Sequence, residues 1–95
     1  MAEQPAPERP VKQPHIQCGP GDVAPVVLLP GDPSRIDWIA RELDEVREVA
    51  FNREFRTVTG RFQGVPVSAT STGIGGASAA IAVEELIRVG ARVLI

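Results

Sequence analysis

Four places along the sequence combine residue types that could bind or transform a ligand. In Pro30-Gly31-Asp32-Pro33-Ser34-Arg35 a glycine beside a helix start lets the backbone approach a ligand closely. The unpaired first-turn N–H groups there favour an anion, and Arg35, one turn in, can fork onto phosphate oxygens. Together these residues make an anion pocket, although the same segment also suits an ordinary strand-to-helix turn with Arg35 in solvent. In Ser71-Thr72-Gly73-Ile74-Gly75-Gly76-Ala77-Ser78 a glycine-rich turn either lines a ligand with backbone groups or lets a helix pack close to a sheet. It falls short of a dinucleotide fingerprint: Ser78 stands where a third Gly or Ala is expected, and the acidic residue about 20 positions on falls near or past Ile95. No lysine follows the glycines, so it is not a Walker loop. Arg53-Glu54, between Phe51 and Phe55, is either a surface ion pair or half of a site that needs a partner. His15 stands alone, and no Ser/His/Asp arrangement assembles around it.

Elements to hold these segments are legible. Residues 26–29 form a short continuous apolar run, as a strand buried on both faces requires, and it stops at Pro30-Gly31. Asp32 supplies a helix cap and Pro33 fits the first helical position. Ile36, Ile39, Ala40 and Leu43 then place one apolar stripe on a helix of about ten residues. Residues 46–51, 55–62 and 65–71 read as three extended segments, with Gln63-Gly64 closing a hairpin between the last two. Residues 77–89 are almost wholly apolar and predict a mostly buried helix capped by Gly90. Residues 92–95 begin a further strand. The fold class is α/β, and because a parallel sheet needs both faces covered and more strands than these, the chain reads as an N-terminal fragment. Residues 1–14 hold four of the nine prolines and read as a disordered leader, with 15–95 as the folded part.

Composition narrows the function. With ten Lys and Arg against twelve Asp and Glu, the formal net charge is -2, and the cations are interleaved with acids, which argues against nucleic-acid binding. No stretch approaches the roughly 20 apolar residues of a membrane span, and the first residues lack the pattern of a secretory signal. The expectation is a cytoplasmic protein without nucleic-acid or membrane partners. The single Cys18 fits a reducing compartment and gives no zinc site.

Taken together, His15, Leu29 to Arg35, Asn52-Arg53-Glu54-Phe55 and the stretch from Ser71 through Ala79-Ala80-Ile81-Ala82-Val83-Glu84-Glu85-Leu86 resemble the uridine phosphorylase branch of the nucleoside phosphorylase family, in order and in spacing. The likeness runs from His15 to Ile95 and corresponds to about the first third of a member. Pro14-His15-Ile16 and Gly21-Asp22 are similar instead to the hexameric bacterial purine nucleoside phosphorylases, so the family is firmer than the base. The resemblance implies the N-terminal part of a three-layer α/β/α phosphorylase/hydrolase-like fold with a mixed sheet, incomplete in this chain. It implies cleavage of a nucleoside, uridine first, by inorganic phosphate to free base and ribose 1-phosphate. Gly31 would bind phosphate through its backbone and Arg35 through its guanidinium. Arg53 would reach the phosphate of a neighbouring subunit, and His15 the ribose 5'-hydroxyl there. Glu54, Ile74 and Ser78 match positions that hold a monovalent cation between subunits in some members. No other cofactor is implied, and the assembly would be a dimer-based hexamer.

Phosphorolysis suits the missing triad. Phosphate is itself the nucleophile attacking a cation-like sugar, so the protein supplies positioning and charge, and no catalytic residue is assigned in this stretch. Members continue past a strand like 93–95 into a further phosphate-binding arginine and the base-recognition residues, which this sequence does not include. Little or no activity is therefore expected from the chain alone. Two other readings stand beside this one: a non-catalytic nucleotide-binding module built on the loop from Gly73 to Ser78, and a truncated piece that folds poorly.

Overall fold

The computed structural model describes residues 11–95. Most of the proposed leader lies outside these residues. At its end the Gln13 N–H donates to the Cys18 carbonyl at 2.9 Å, and the Gln17 N–H to the Gln13 carbonyl at 3.0 Å.

Seven elements follow one another: β1 (Val26–Leu28), α1 (Ser34–Arg41), β2 (Asp44–Asn52), β3 (Phe55–Phe62), β4 (Val65–Thr70), α2 (Gly76–Arg88) and β5 (Val93–Leu94). The strands form one mixed sheet in the order β2-β3-β4-β1-β5. The β2–β3 and β3–β4 pairs are antiparallel hairpins, whereas β1 runs parallel to both β4 and β5. The apolar run at β1 is thus an internal strand between β4 and β5; Val27 is buried, whereas Val26 and Leu28 on the opposite face are half-buried, so the burial on both faces that the run predicts is incomplete among the described residues.

The pleat sends alternate side chains to opposite faces, and each face has its own helix. On one face Ile36 of α1 meets Val58 and Ala69, with Leu28 and Ile39 beside them. On the other, Ala82 and Leu86 of α2 join Val27, Phe55 and the N-terminal residues Ile16, Cys18 and Val23. That second face also buries a ladder of hydroxyls between opposite residues of β3 and β4. Thr57 and Thr70 lie 2.8 Å apart at Oγ1, and Thr59 Oγ1 meets Ser68 Oγ at 2.8 Å. Ser68 Oγ also accepts the Ala24 N–H at 2.7 Å, and Thr59 Oγ1 donates to the Asp22 carbonyl at 2.8 Å, which ties the N-terminal segment to the sheet.

Most elements stand where the sequence places them, and two differences have clear causes. The strand expected at 46–51 starts earlier, at Asp44. Its register against β3 slips between Asp44 and Arg47 and again between Glu48 and Ala50, with Glu45 at φ 52°, so bulges break the alternation that marks a strand in sequence. Helix α2, expected mostly buried, is covered on one face only. Ala82, Glu85 and Leu86 are buried, whereas Ile87 is 56% exposed because nothing among the described residues packs against its side. The helix ends where the N–H groups of Gly90 and Ala91 turn back onto the Ile87 and Leu86 carbonyls.

The bulged start of β2 crosses directly over Gly60 of β3. A Cβ at Gly60 would sit 2.9 Å from the Asp44 carbonyl oxygen and 3.1 Å from the Val46 Cα, so backbone itself fills the space a side chain needs. Gly60→Ala is expected to lower unfolding free energy by about 1–3 kcal/mol through overpacking. Urea denaturation checks this, and an unchanged midpoint would show that β2 does not press on β3 there.

Candidate functional site: a cleft where two loops part

Strands β1 and β4 lie side by side and parallel, but the chain leaves β1 for a helix on one face and leaves β4 for a helix on the other. Neighbouring loops that part in this way open a crevice at the carboxyl ends of the strands, the general location of ligand sites in open α/β sheets. A cleft of about 400 Å³ occupies this place, lined by Gly31, Asp32, Pro33, Glu54, Gly73 and Ile74.

Its floor is backbone. The Thr72 N–H donates to the Pro30 carbonyl at 2.9 Å, and the Gly73 N–H donates to the Gly31 carbonyl at 2.8 Å, which extends the strand pairing into the loops. Gly73 has φ 77°, and a Cβ there would lie 2.7 Å from Glu54 Cγ and 3.3 Å from Ser78 Oγ. Both the dihedral and the lack of room demand glycine.

The third wall is the two-residue turn Arg53-Glu54 between β2 and β3, with Arg53 at φ 56°. Ser71 holds it: its Oγ donates to the Glu54 carbonyl at 2.6 Å and accepts the Arg56 N–H at 2.9 Å. The Glu54 carboxylate accepts the Ser78 hydroxyl across the glycine loop. That hydrogen bond, helped by the Glu54 N–H and by the charge of Arg53, holds the carboxyl below its ordinary range despite some desolvation. On the opposite lip Asp32 accepts the Ser34 N–H at 2.9 Å, and its carboxyl is likewise lowered, first by that bond. Pro33 already has helical dihedrals (φ -55°, ψ -28°), so Asp32 caps α1 in the way its sequence position predicts.

Helix α1 is fixed beside the cleft by Arg56. Its guanidinium forks onto Glu48 at 3.0 and 3.1 Å, meets Asp37 of α1 at 2.9 Å and lies over the Phe51 ring at 5.3 Å. The Glu48 and Asp37 bonds raise the Arg56 pKa further, and Arg56 in turn lowers the Asp37 carboxyl.

His15 is held from two sides. Its carbonyl accepts the Asn52 side-chain amide at 2.7 Å, and its Nδ1 lies 2.7 Å from Glu85 Oε2. The other Glu85 oxygen accepts the N–H groups of His15 at 3.1 Å and Ile16 at 2.9 Å. Glu85 is 5% exposed. Burial pushes its carboxyl up, but the Ile16 N–H, the His15 ring and the His15 N–H outweigh that and hold it below the ordinary range.

The structure therefore gathers Gly31, Glu54 and Ile74 around one cleft, with Ser78 bonded to Glu54. Arg35 is exposed in the first turn of α1 and Arg53 is exposed at the hairpin tip; neither lines the cleft. His15 packs edge-on to Phe55, just past the same hairpin, at 6.4 Å between ring centres. The cleft walls contributed by these residues carry two carboxylates, so an anion there depends on the nearby arginines or on charge from elsewhere. Among the described residues no three His, Cys, Asp or Glu side chains cluster as metal ligands, and no helix is long and apolar enough to cross a membrane.

Two residues were not singled out by sequence reasoning. Glu85 sits at the spacing of Ala82, Leu86 and Val89, so an acid on the buried stripe of α2 was a readable signal. Arg56 gave none, because Asp37 and Glu48 become its partners only through the fold.

A sequence profile of the phosphorylase superfamily matches residues 25–95. The chain belongs to the phosphorylase superfamily. A uridine phosphorylase from Thermococcus kodakarensis is 59% identical over 95% of the chain, and a guanosine phosphorylase from Halorubrum lacusprofundi is 51% identical over 83%. The chain spans only 32% and 33% of these proteins. The crystal structure of a purine nucleoside phosphorylase from Toxoplasma gondii in complex with immucillin-H superposes with a TM-score of 0.85 at 40% identity, over 87% of this chain and 34% of that one. The mixed sheet with its two helices is thus the corresponding part of a nucleoside phosphorylase fold, as the sequence resemblance implied.

A carboxyl lowered on folding contributes stability that is complete above its unfolded pKa and is lost as pH falls through the folded value. For Glu85 this places the loss below the ordinary glutamate range of roughly pH 4–5. The difference in unfolding free energy between wild type and Glu85→Gln is expected to be largest near neutrality and to shrink as pH drops below that range. A difference constant with pH in urea titrations would contradict the ionised state of Glu85 in this phosphorylase segment.

Proposed function

We propose that the protein to which this segment belongs is a nucleoside phosphorylase acting on uridine, yielding uracil and ribose 1-phosphate. The observation that carries this reading is the cleft at the parting of β1 and β4, where the Gly31 loop and a helix start open beside exposed Arg35. Phosphate would sit against the Gly31 backbone and the Arg35 guanidinium, whose planar fork suits its oxygens. Arg53 and His15, exposed beyond the cleft, would serve the phosphate and the ribose 5'-hydroxyl of a neighbouring subunit in a dimer-based hexamer. As the bond to the base breaks, the sugar gains positive charge, and a held phosphate dianion both stabilises that charge and attacks C1'. Positioning of the two reactants supplies most of the acceleration, so no side-chain nucleophile is required.

The oxygens of Glu54 and Ser78, with Ile74 lining the same cleft as Glu54, suit a hard monovalent cation shared across a subunit boundary. The identity to a guanosine phosphorylase makes a purine nucleoside the second substrate to test.

The full-length protein is expected to release base from uridine only when phosphate is added. Arg35→Ala should raise the KM for phosphate by about 10- to 100-fold, the range of a lost hydrogen bond to a charged group. Rates are read by loss of uridine absorbance, with inosine and guanosine in parallel. Base release indifferent to phosphate would mean hydrolysis and would overturn the proposal.

A further inference from the structure

The His15–Glu85 pair has a polarity that the fold imposes. An ionised carboxylate offers acceptors only, whereas a neutral imidazole has one donor and one acceptor nitrogen. Glu85 Oε1 is occupied by two backbone N–H groups, and Oε2 faces His15 Nδ1 at 2.7 Å. The contact is bonding only if Nδ1 carries the hydrogen. Among the described residues nothing bonds Nε2, and the His15 side chain is 48% exposed.

We propose that Glu85 is a positioning residue that fixes the His15 tautomer, keeping the hydrogen on Nδ1 and leaving Nε2 as a bare acceptor for a hydroxyl on the sugar of the bound nucleoside. A second-layer carboxylate commonly sets which imidazole nitrogen is free to act. The lowered carboxyl of Glu85 keeps it ionised through neutrality. The selectivity that follows is for a sugar that donates a hydroxyl hydrogen. The tautomer half stands on geometry alone, and the sugar half rests on the phosphorolytic reading above.

A purely structural role for Glu85, anchoring the backbone at His15 and Ile16, gives a different result on substitution. In Glu85→Gln the amide oxygen can keep those two N–H bonds, but the amide NH₂ then faces Nδ1 and reverses the demand on the ring.

In the full-length protein, long-range proton–nitrogen-15 correlation reports the ring, with the His15 signals identified as those lost in His15→Gln. At the alkaline plateau of its titration the wild-type ring is expected to be protonated at Nδ1 and bare at Nε2, and the ring in folded Glu85→Gln to be protonated at Nε2. In the full-length protein the same variant should raise the KM for uridine about tenfold with less change in kcat, and leave the KM for 5'-deoxyuridine unchanged. A wild-type ring protonated at Nε2 overturns the proposal, as does a folded Glu85→Gln that keeps Nδ1–H, or an equal rise in KM for the 5'-deoxy substrate. Should Glu85→Gln fail to fold, the wild-type spectrum decides alone. A correct tautomer in a protein that cleaves no nucleoside would remove the phosphorolytic reading and leave the positioning role standing.

Discussion

The cleft exists because two loops approach to hydrogen-bond distance and then part. Gly73 N–H reaches the Gly31 carbonyl at 2.8 Å, and Glu54 packs so close over Gly73 that no Cβ fits. This contact fixes the end of β1, the end of β4 and the tip of the β2–β3 hairpin at one point. From there the chain goes to opposite faces, α1 to one and α2 to the other, and the space between them is the candidate site.

Charge is arranged around that point in two tiers. The residues at the cleft itself are anionic or backbone: Asp32, whose carboxylate caps α1, and Glu54, held by Ser78. The cations stand one step out. Arg56 is spent on Glu48 and Asp37, where it locks α1 to the sheet, while Arg35 and Arg53 remain exposed. The segment that carries this arrangement spans about a third of its relatives.

The sequence made local features legible and left long-range ones hidden. The apolar run at Val27, the Asp32 cap, the stripe through Ile36 and the hairpin at Gln63-Gly64 each depend on residues a few positions apart, and each appears in the structure. The start of β2 was obscured because bulges break its alternation. Helix α2 is buried on fewer faces than its apolar composition predicts, since composition does not say how many faces are covered. The grouping of Glu54, Ile74 and Ser78 entered through resemblance to a family and not through spacing, and Gly31 joins Glu54 and Ile74 only in the fold; Glu54 meets Gly73 only because β3 and β4 pair in register. Arg56 was invisible for the same reason, as its partners lie 8 and 19 residues away on other elements.

The central claim is that this cleft presents phosphate to C1' of a nucleoside as the attacking group. Uniformly oxygen-18-labelled phosphate tests it most directly in the full-length protein, with the products of uridine cleavage examined by mass spectrometry. Attack by phosphate predicts ribose 1-phosphate in which the oxygen joined to C1' carries the label. Unlabelled free ribose appearing with the uracil would show that water attacks C1' and would contradict the account.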